Sequence, residues 1–313
     1  MPATLVPLTH LGTDPQASGS WPRNGRGQPL VIPRGGGKPV THTRVTTLAS
    51  TLDDGSSLTT WKMRTTLWGA ATTPSITDRV RTIDAGGPEG KRELTRLAYK
   101  AFRSGGGHAK ADYGTEMHHW TELHDQGEAP RPSSTDQARD LAAYVAATRS
   151  LTMRAIEQPV VVAGIGAAGT ADRLLHTDME TPDGAPAGTV VADIKTGSID
   201  GQLTIATQMA SYAHGTAYNP VRWLANPTDA AALDRWKGYE FTADQAAEAY
   251  TDLTGVNQKW GLVIHLPARE GRCTLHWIDL VAGWEAAGEA VIVRKWRSRK
   301  GLITDSISPK MDL

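Results

Sequence analysis

Cysteine is almost missing from this 313-residue chain: Cys273 stands alone. One cysteine excludes an intrachain disulfide, a cysteine-ligated zinc site and an iron–sulfur cluster held by the chain's own thiolates. No run of about 18 apolar residues occurs, which excludes a membrane-spanning helix. Net charge is missing too, because 33 Lys and Arg balance 33 Asp and Glu. Affinity for nucleic acid comes largely from phosphate contacts, so neutrality counts against such a partner unless charge is clustered locally. Arg294, Lys295, Arg297, Arg299 and Lys300 form one cluster, which fits a solvated helix face as well as a DNA-contacting one. The start of the chain lacks a basic stretch followed by an apolar one. No secretory leader is therefore expected, and a cytoplasmic location is. What the chain does have is 39% hydrophobic residues, enough for a real core and a globular fold.

Residues 1–40 are rich in Pro, Gly and Ser, show no periodicity, and read as a flexible N-terminal arm. Helical spacing follows over 58–70, 89–103 (ended by Gly105-Gly106-Gly107), 114–125 and 135–154, the last capped by Ser134. The pattern then turns to strands at 158–163, 169–176 and 189–194, separated by Pro and Gly turn signals. A helix over 202–216 comes next. Pro220 and Pro227 break the chain, 243–253 reads as helix, 260–266 and 272–280 as strands, and 283–299 as a last long helix. This order predicts an α/β fold with a mixed central sheet flanked by helices. One domain would span 41–300, with a helical part over 41–155 and a core over 156–300, leaving 301–313 as a tail.

The chemistry-bearing residues lie around the first three strands. Asp172 and Asp193 are 21 positions apart with turn signals between, a length that suits neighbouring antiparallel strands with the two carboxylates side by side. Asp193 and Lys195 alternate with Ile194, so they share one face of a strand while Ile194 feeds the core. Close carboxylates repel unless a cation sits between them, and hard cations such as Mg²⁺ take oxygen ligands. A lysine beside them can place a water or neutralise charge on a phosphate. Taken alone, Asp-x-Lys is better explained by a surface ion pair. His118, in Gly114-Thr115-Glu116-Met117-His118, lies one turn into a helix, with Glu122 on the same face. Gln208 and Tyr212, four apart on the helix after the Asp-x-Lys strand, can point to the same place. Glu157 directly precedes the first strand.

In order, Gly-Thr-x-x-His, a Glu before a strand, Gly-x-x-Asp-Arg, Asp-Ile-Lys-Thr-Gly and Gln-x-x-x-Tyr resemble the RecB-like branch of the PD-(D/E)XK nucleases. The resemblance is strong over about residues 110–215 and looser over 40–300. It is nearest to phage exonucleases of actinobacteria related to the CRISPR-associated RecB-like exonucleases. It implies a restriction-endonuclease-like core and a metal-dependent DNA exonuclease acting on single-stranded DNA or duplex ends, with Mg²⁺ or Mn²⁺ as cofactor. It implies His118, Asp172, Asp193 and the Ile194 carbonyl as metal ligands, Lys195 with Asp193, Asp172 and Glu157 as the catalytic set, and Gln208, Tyr212, Thr115 and Arg173 as supporting or DNA-contacting residues. Many CRISPR-associated members hold an iron–sulfur cluster with four cysteines; with Cys273 alone, none is expected here.

Two other signals compete. Gly164-Ile165-Gly166-Ala167-Ala168-Gly169 spells a dinucleotide-binding fingerprint, but that motif needs a long helix after its last glycine, and Pro182 and Gly184 cut any helix short. The glycines fit a hairpin turn better. His118, His119 and His124 lack a standard zinc spacing. Ten tryptophans are many, and most are expected in the core; Trp61, Trp68 and Trp120 lie near the motif helices and are the ones to test for stacking on unpaired bases. A non-catalytic DNA-binding protein with the same fold is the rival from another class, though it has no use for the full set of His118, Asp172, Asp193 and Lys195.

Overall fold

The computed structural model describes residues 22–219 and 230–302. Residues 1–21 of the expected arm, the breaks at Pro220 and Pro227 and most of the tail lie outside them. The rest of the expected arm is built into the fold. β1 (Leu30–Val31) and β2 (Val40–Thr41) pair as a small ribbon. Leu30, Val31 and Ile32 are buried against Tyr218, Trp236 and Phe241, and the Ile32 N–H donates to the Tyr218 hydroxyl at 3.1 Å. Three consecutive apolar residues thus find partners nearly two hundred positions away, which local composition cannot reveal.

The centre is a mixed sheet with helices on both faces. Its strands among the described residues are β3 (Thr43–Arg44), β4 (Thr152–Val162), β5 (Ala167–Glu180), β6 (Pro186–Lys195), β7 (Thr216–Tyr218), β8 (Tyr250–Asp252), β9 (Trp260–His265) and β10 (Thr274–Asp279). They run in the order β10-β9-β6-β5-β4-β7-β8, with β3 beside β5. β6 and β9 are parallel, as are β3 and β5; the other pairs are antiparallel. The glycine fingerprint forms the turn of the β4–β5 hairpin, with Gly166 at φ 59°. A strand rather than a helix follows it, which removes the dinucleotide reading.

Alternation along β6 feeds two cores. Val190, Ala192 and Ile194 pack under Tyr113 and Met117 of α5 (Ala109–Asp125) and Leu141 and Tyr144 of α6 (Thr135–Thr148). Val191 packs under α1 (Val45–Ala49), α7 (Gln202–Ala213) and α10 (Leu280–Arg297). Asp279 caps α10 by accepting from the Val281 and Ala282 N–H groups, so this helix starts three residues before the expected point. Ser134 caps α6 as read, but the helix ends at Thr148 and β4 takes over the residues expected to extend it. The stretch 243–253 holds only a short helix, α9 (Ala243–Ala247), before β8. Two further helices, α2 (Ser56–Ala71) and α4 (Pro88–Ser104), match their expected spans, while α3 (Pro74–Arg81) and α8 (Ala230–Gly238) gave no sequence signal. Among the described residues no helix is long and apolar enough to cross a membrane.

Candidate metal centre

The site opens where two strands part. β5 pairs with β6 up to Arg173 and Ala192, and the same edge of β5 receives β3 only at Ala167 and Ala168. Between them the edge carries no strand. Asp172 stands in that gap, and its Oδ2 accepts the Ile194 N–H at 3.0 Å, a group the ladder would otherwise have to satisfy. Glu157 comes in from the other side. It lies inside β4 rather than before it, between the pairs Ile156–Arg173 and Gln158–Ala171, and so opposite Asp172. Its backbone has φ 49°, a left-handed conformation that costs a non-glycine residue strain and is held by the surrounding sheet.

α5 supplies the imidazole. His118 Nδ1 lies 3.6 Å from Asp172 Oδ2, and the ligand atoms of His118, Glu157 and Asp172 all fall within 4.8 Å of one another. The helix reaches this close because residue 114 is glycine; a Cβ there would come within 2.7 Å of Thr196 Oγ1. These three residues could hold a metal ion. Asp193, on the next strand, is brought to the same place but turned differently. Its Oδ1 accepts from Gln208 Nε2 at 2.9 Å, and its Oδ2 is ion-paired with Lys195 Nζ at 2.7 Å. That pair is close but poorly angled, which leaves Oδ2 buried without a proper hydrogen bond.

The electrostatics follow from crowding. Burial, then the charge of Asp172, pushes the Glu157 carboxyl up to about 8, with Arg173 opposing. Burial, then Asp172, raises Asp193 to about 7 against the pull of Lys195. Burial and the same acids keep Tyr212 a neutral phenol. Carboxylates kept protonated near pH 7 by burial and each other are the condition a divalent cation relieves. The donor set of carboxylate oxygens plus one imidazole fits such an ion.

Other expected residues divide. Arg173 has a side-chain exposure of 0% and cannot reach a nucleic acid. It supports the site instead: Nε donates to Asp125 Oδ2 at 2.6 Å, Nη1 to the Asp172 carbonyl at 2.7 Å and Nη2 to Thr121 Oγ1 at 3.3 Å, with Glu157 Oε1 at 3.6 Å. Tyr212 is buried too, packed against β5 where Gly169 leaves room for its ring, so it likewise supports rather than contacts DNA. Thr115 is exposed on the rim. Ile194 gives its N–H to Asp172 and its side chain to the core. Asp125 and Thr121 were missed by sequence reasoning, although both lie on the helical face of His118 and Glu122. An open cleft of about 530 Å³ fronts the cluster, lined by Lys110, Gly114, Thr115, His118, Glu157, Asp172 and Thr196 among others. Lys110 gave no sequence signal, and Thr196, part of the Asp-Ile-Lys-Thr-Gly run, was given no role. No family model matches the chain, and a search of curated proteins finds no match either.

Proposed function

We propose that the chain is a divalent-metal-dependent DNA nuclease, an exonuclease of the RecB-like PD-(D/E)XK class. The observation that carries this is the meeting of Glu157, Asp172 and His118 at one open cleft, backed by the buried Asp193, whose carboxylate lies 2.7 Å from the Lys195 ammonium. A surface ion pair explains neither the burial of Asp193 nor the crowding of Glu157 against Asp172. Bound there, Mg²⁺ or Mn²⁺ would polarise a phosphate and acidify a coordinated water. His118, Glu157 and Asp172 would hold it, with Asp193 beside them; the nitrogen ligand suits Mn²⁺ at least as well as Mg²⁺.

The chain's own groups do the rest. Gln208 fixes Asp193 Oδ1, which orients Oδ2 toward Lys195. Lys195 Nζ, also 3.5 Å from Gln208 Oε1, is held beside Asp193, from where it would neutralise charge growing on a phosphate oxygen during attack. Burial and Asp172 hold the Glu157 carboxyl at about 8, and a cation bound beside it would favour its ionised form. The test is incubation of end-labelled single- and double-stranded linear DNA and a closed circle with Mg²⁺ or Mn²⁺, beside Asp172→Asn. Degraded linear DNA, an intact circle and an inactive variant are expected. DNA that binds but is never cut would instead favour a non-catalytic binding protein.

A further inference from the structure

A second surface, of opposite charge, leads to the cleft. Residues 56–110 hold α2, α3, α4 and the start of α5, and carry ten Lys and Arg against four Asp and Glu. Their net charge is +6, which leaves −6 for the rest of a neutral chain. Four of the cations are spent locally: Arg79 and Arg96 on Glu93, Arg81 on Asp78 and Arg92 on Glu89. The other six, Lys62, Arg64, Lys91, Lys100, Arg103 and Lys110, are exposed and make no ion pair among the described residues.

Helix geometry sets several of them beside bare rings. α2 turns Trp61 and Gly69 toward α4: Trp61 stands edge-on to Phe102 at 5.3 Å, and a Cβ on Gly69 would collide with the Ala101 carbonyl. Trp68 lies seven residues after Trp61, on the same flank of α2, with Arg64 four before it, while Met63 and Leu67 point away from α4. Trp68 is 65% exposed. On α4, Tyr99 (70% exposed), Lys100 and Arg103 lie within about one turn. The end of α4 is locked to the start of α5, since the Gly107 N–H donates to the Phe102 carbonyl at 2.9 Å and the Phe102 and His108 rings touch at 5.4 Å. Lys110, at that start, already lines the cleft.

We infer that this basic helical unit is a platform guiding single-stranded DNA into the carboxylate cleft, an inference that rests on the nuclease proposal. An acidic cleft repels phosphate, so attraction has to come from another part of the molecule. Unpaired cations neutralise phosphates, and exposed rings stack on bases, which only an unpaired strand offers. An apolar protein partner would have no use for six free cations.

The test uses the full chain in EDTA, so that binding is read without cleavage. Fluorescence anisotropy would follow labelled oligo(dT) of about 6 and about 30 nucleotides, lengths chosen against single-strand site sizes. The Lys100→Glu/Arg103→Glu variant should bind the longer strand at least tenfold more weakly, with the salt slope reduced by about 1.4 for two lost phosphate contacts. Trp68→Ala should weaken it about five- to tenfold. Binding of the short strand should stay within twofold. Unchanged affinity of these variants for the long strand would overturn the platform while leaving cleavage by the wild type, and so the nuclease proposal, intact. A wild-type dimer that Trp68→Ala converts to monomer with DNA affinity retained would also overturn it, making the face a contact between copies. A wild type that binds neither strand would overturn the platform as well, while the cleavage assay with Mg²⁺ or Mn²⁺ decides the nuclease proposal separately.

Discussion

The central sheet and the α2–α4 helices solve opposite problems. At the sheet, Glu157, Asp172 and Asp193 are packed together in partial or full burial, and the fold raises two of them to about 8 and about 7 rather than let all three ionise. In the helices, charge is spread over the surface, and the shared core is small: Ile76, Leu97 and Ala101. The sheet places groups by hydrogen-bond register and spends stability on a strained Glu157 and a buried Arg173. The helices carry no comparable strain and leave six of their ten cations without an ion pair among the described residues. Rigid placement belongs with chemistry and loose, solvated charge with capture.

The largest effect should come from the sheet. Lys195→Met is expected to lower kcat on DNA by about 10²–10³, while affinity for DNA in EDTA changes little. Equal losses in both would put Lys195 in capture and erase the contrast. Next is Arg173→Met, which strands Asp125 in the interior. The expected loss is about 3–5 kcal/mol of unfolding free energy, read from urea titration. Leu97→Ala in α4 should cost about 2–4 kcal/mol, but locally. Proteolysis should nick residues 56–108 first while the main thermal transition hardly moves; a shift of the whole transition would show that the two regions fold as one.

pH sharpens the comparison further. Glu157 and Asp193 have folded values above the usual carboxylate range, so the metal-free folded state binds more protons than the unfolded chain. Their contribution to stability is therefore full below about pH 4 and falls as pH rises through about 7 and 8. The melting temperature of metal-free protein should drop over that window, and Glu157→Gln should flatten the drop. The smallest effect is that of Trp68→Ala on stability, expected within about 0.5 kcal/mol because the ring is in solvent.

How much of this was readable in the sequence depended on range. Asp193, Lys195 and Asp172 were legible because strand alternation and turn signals are local. His118 was legible for the same reason on a helix. Glu157 was placed before the strand rather than in it because β4 runs six residues further back than its apolar run, through an irregularity between Met153 and Ala155. β7 and β8 are three residues each and carry no period of their own. The segment Leu30-Val31-Ile32 looked like part of an arm because its partners are Tyr218, Trp236 and Phe241. The role of Arg173 also depended on depth: the sequence pairs it with Asp172, and only the packing of α5 shows it buried beneath the site.

Titration calorimetry of Mn²⁺ into the metal-free protein near pH 7, run in two buffers of different ionisation heat, tests the metal centre most directly. One ion per chain should bind with release of protons. Asp172→Asn should abolish that binding, and Glu157→Gln should remove most of the proton release. Absence of binding, or binding that Asp172→Asn leaves untouched, would contradict a metal held between the strands at this cleft.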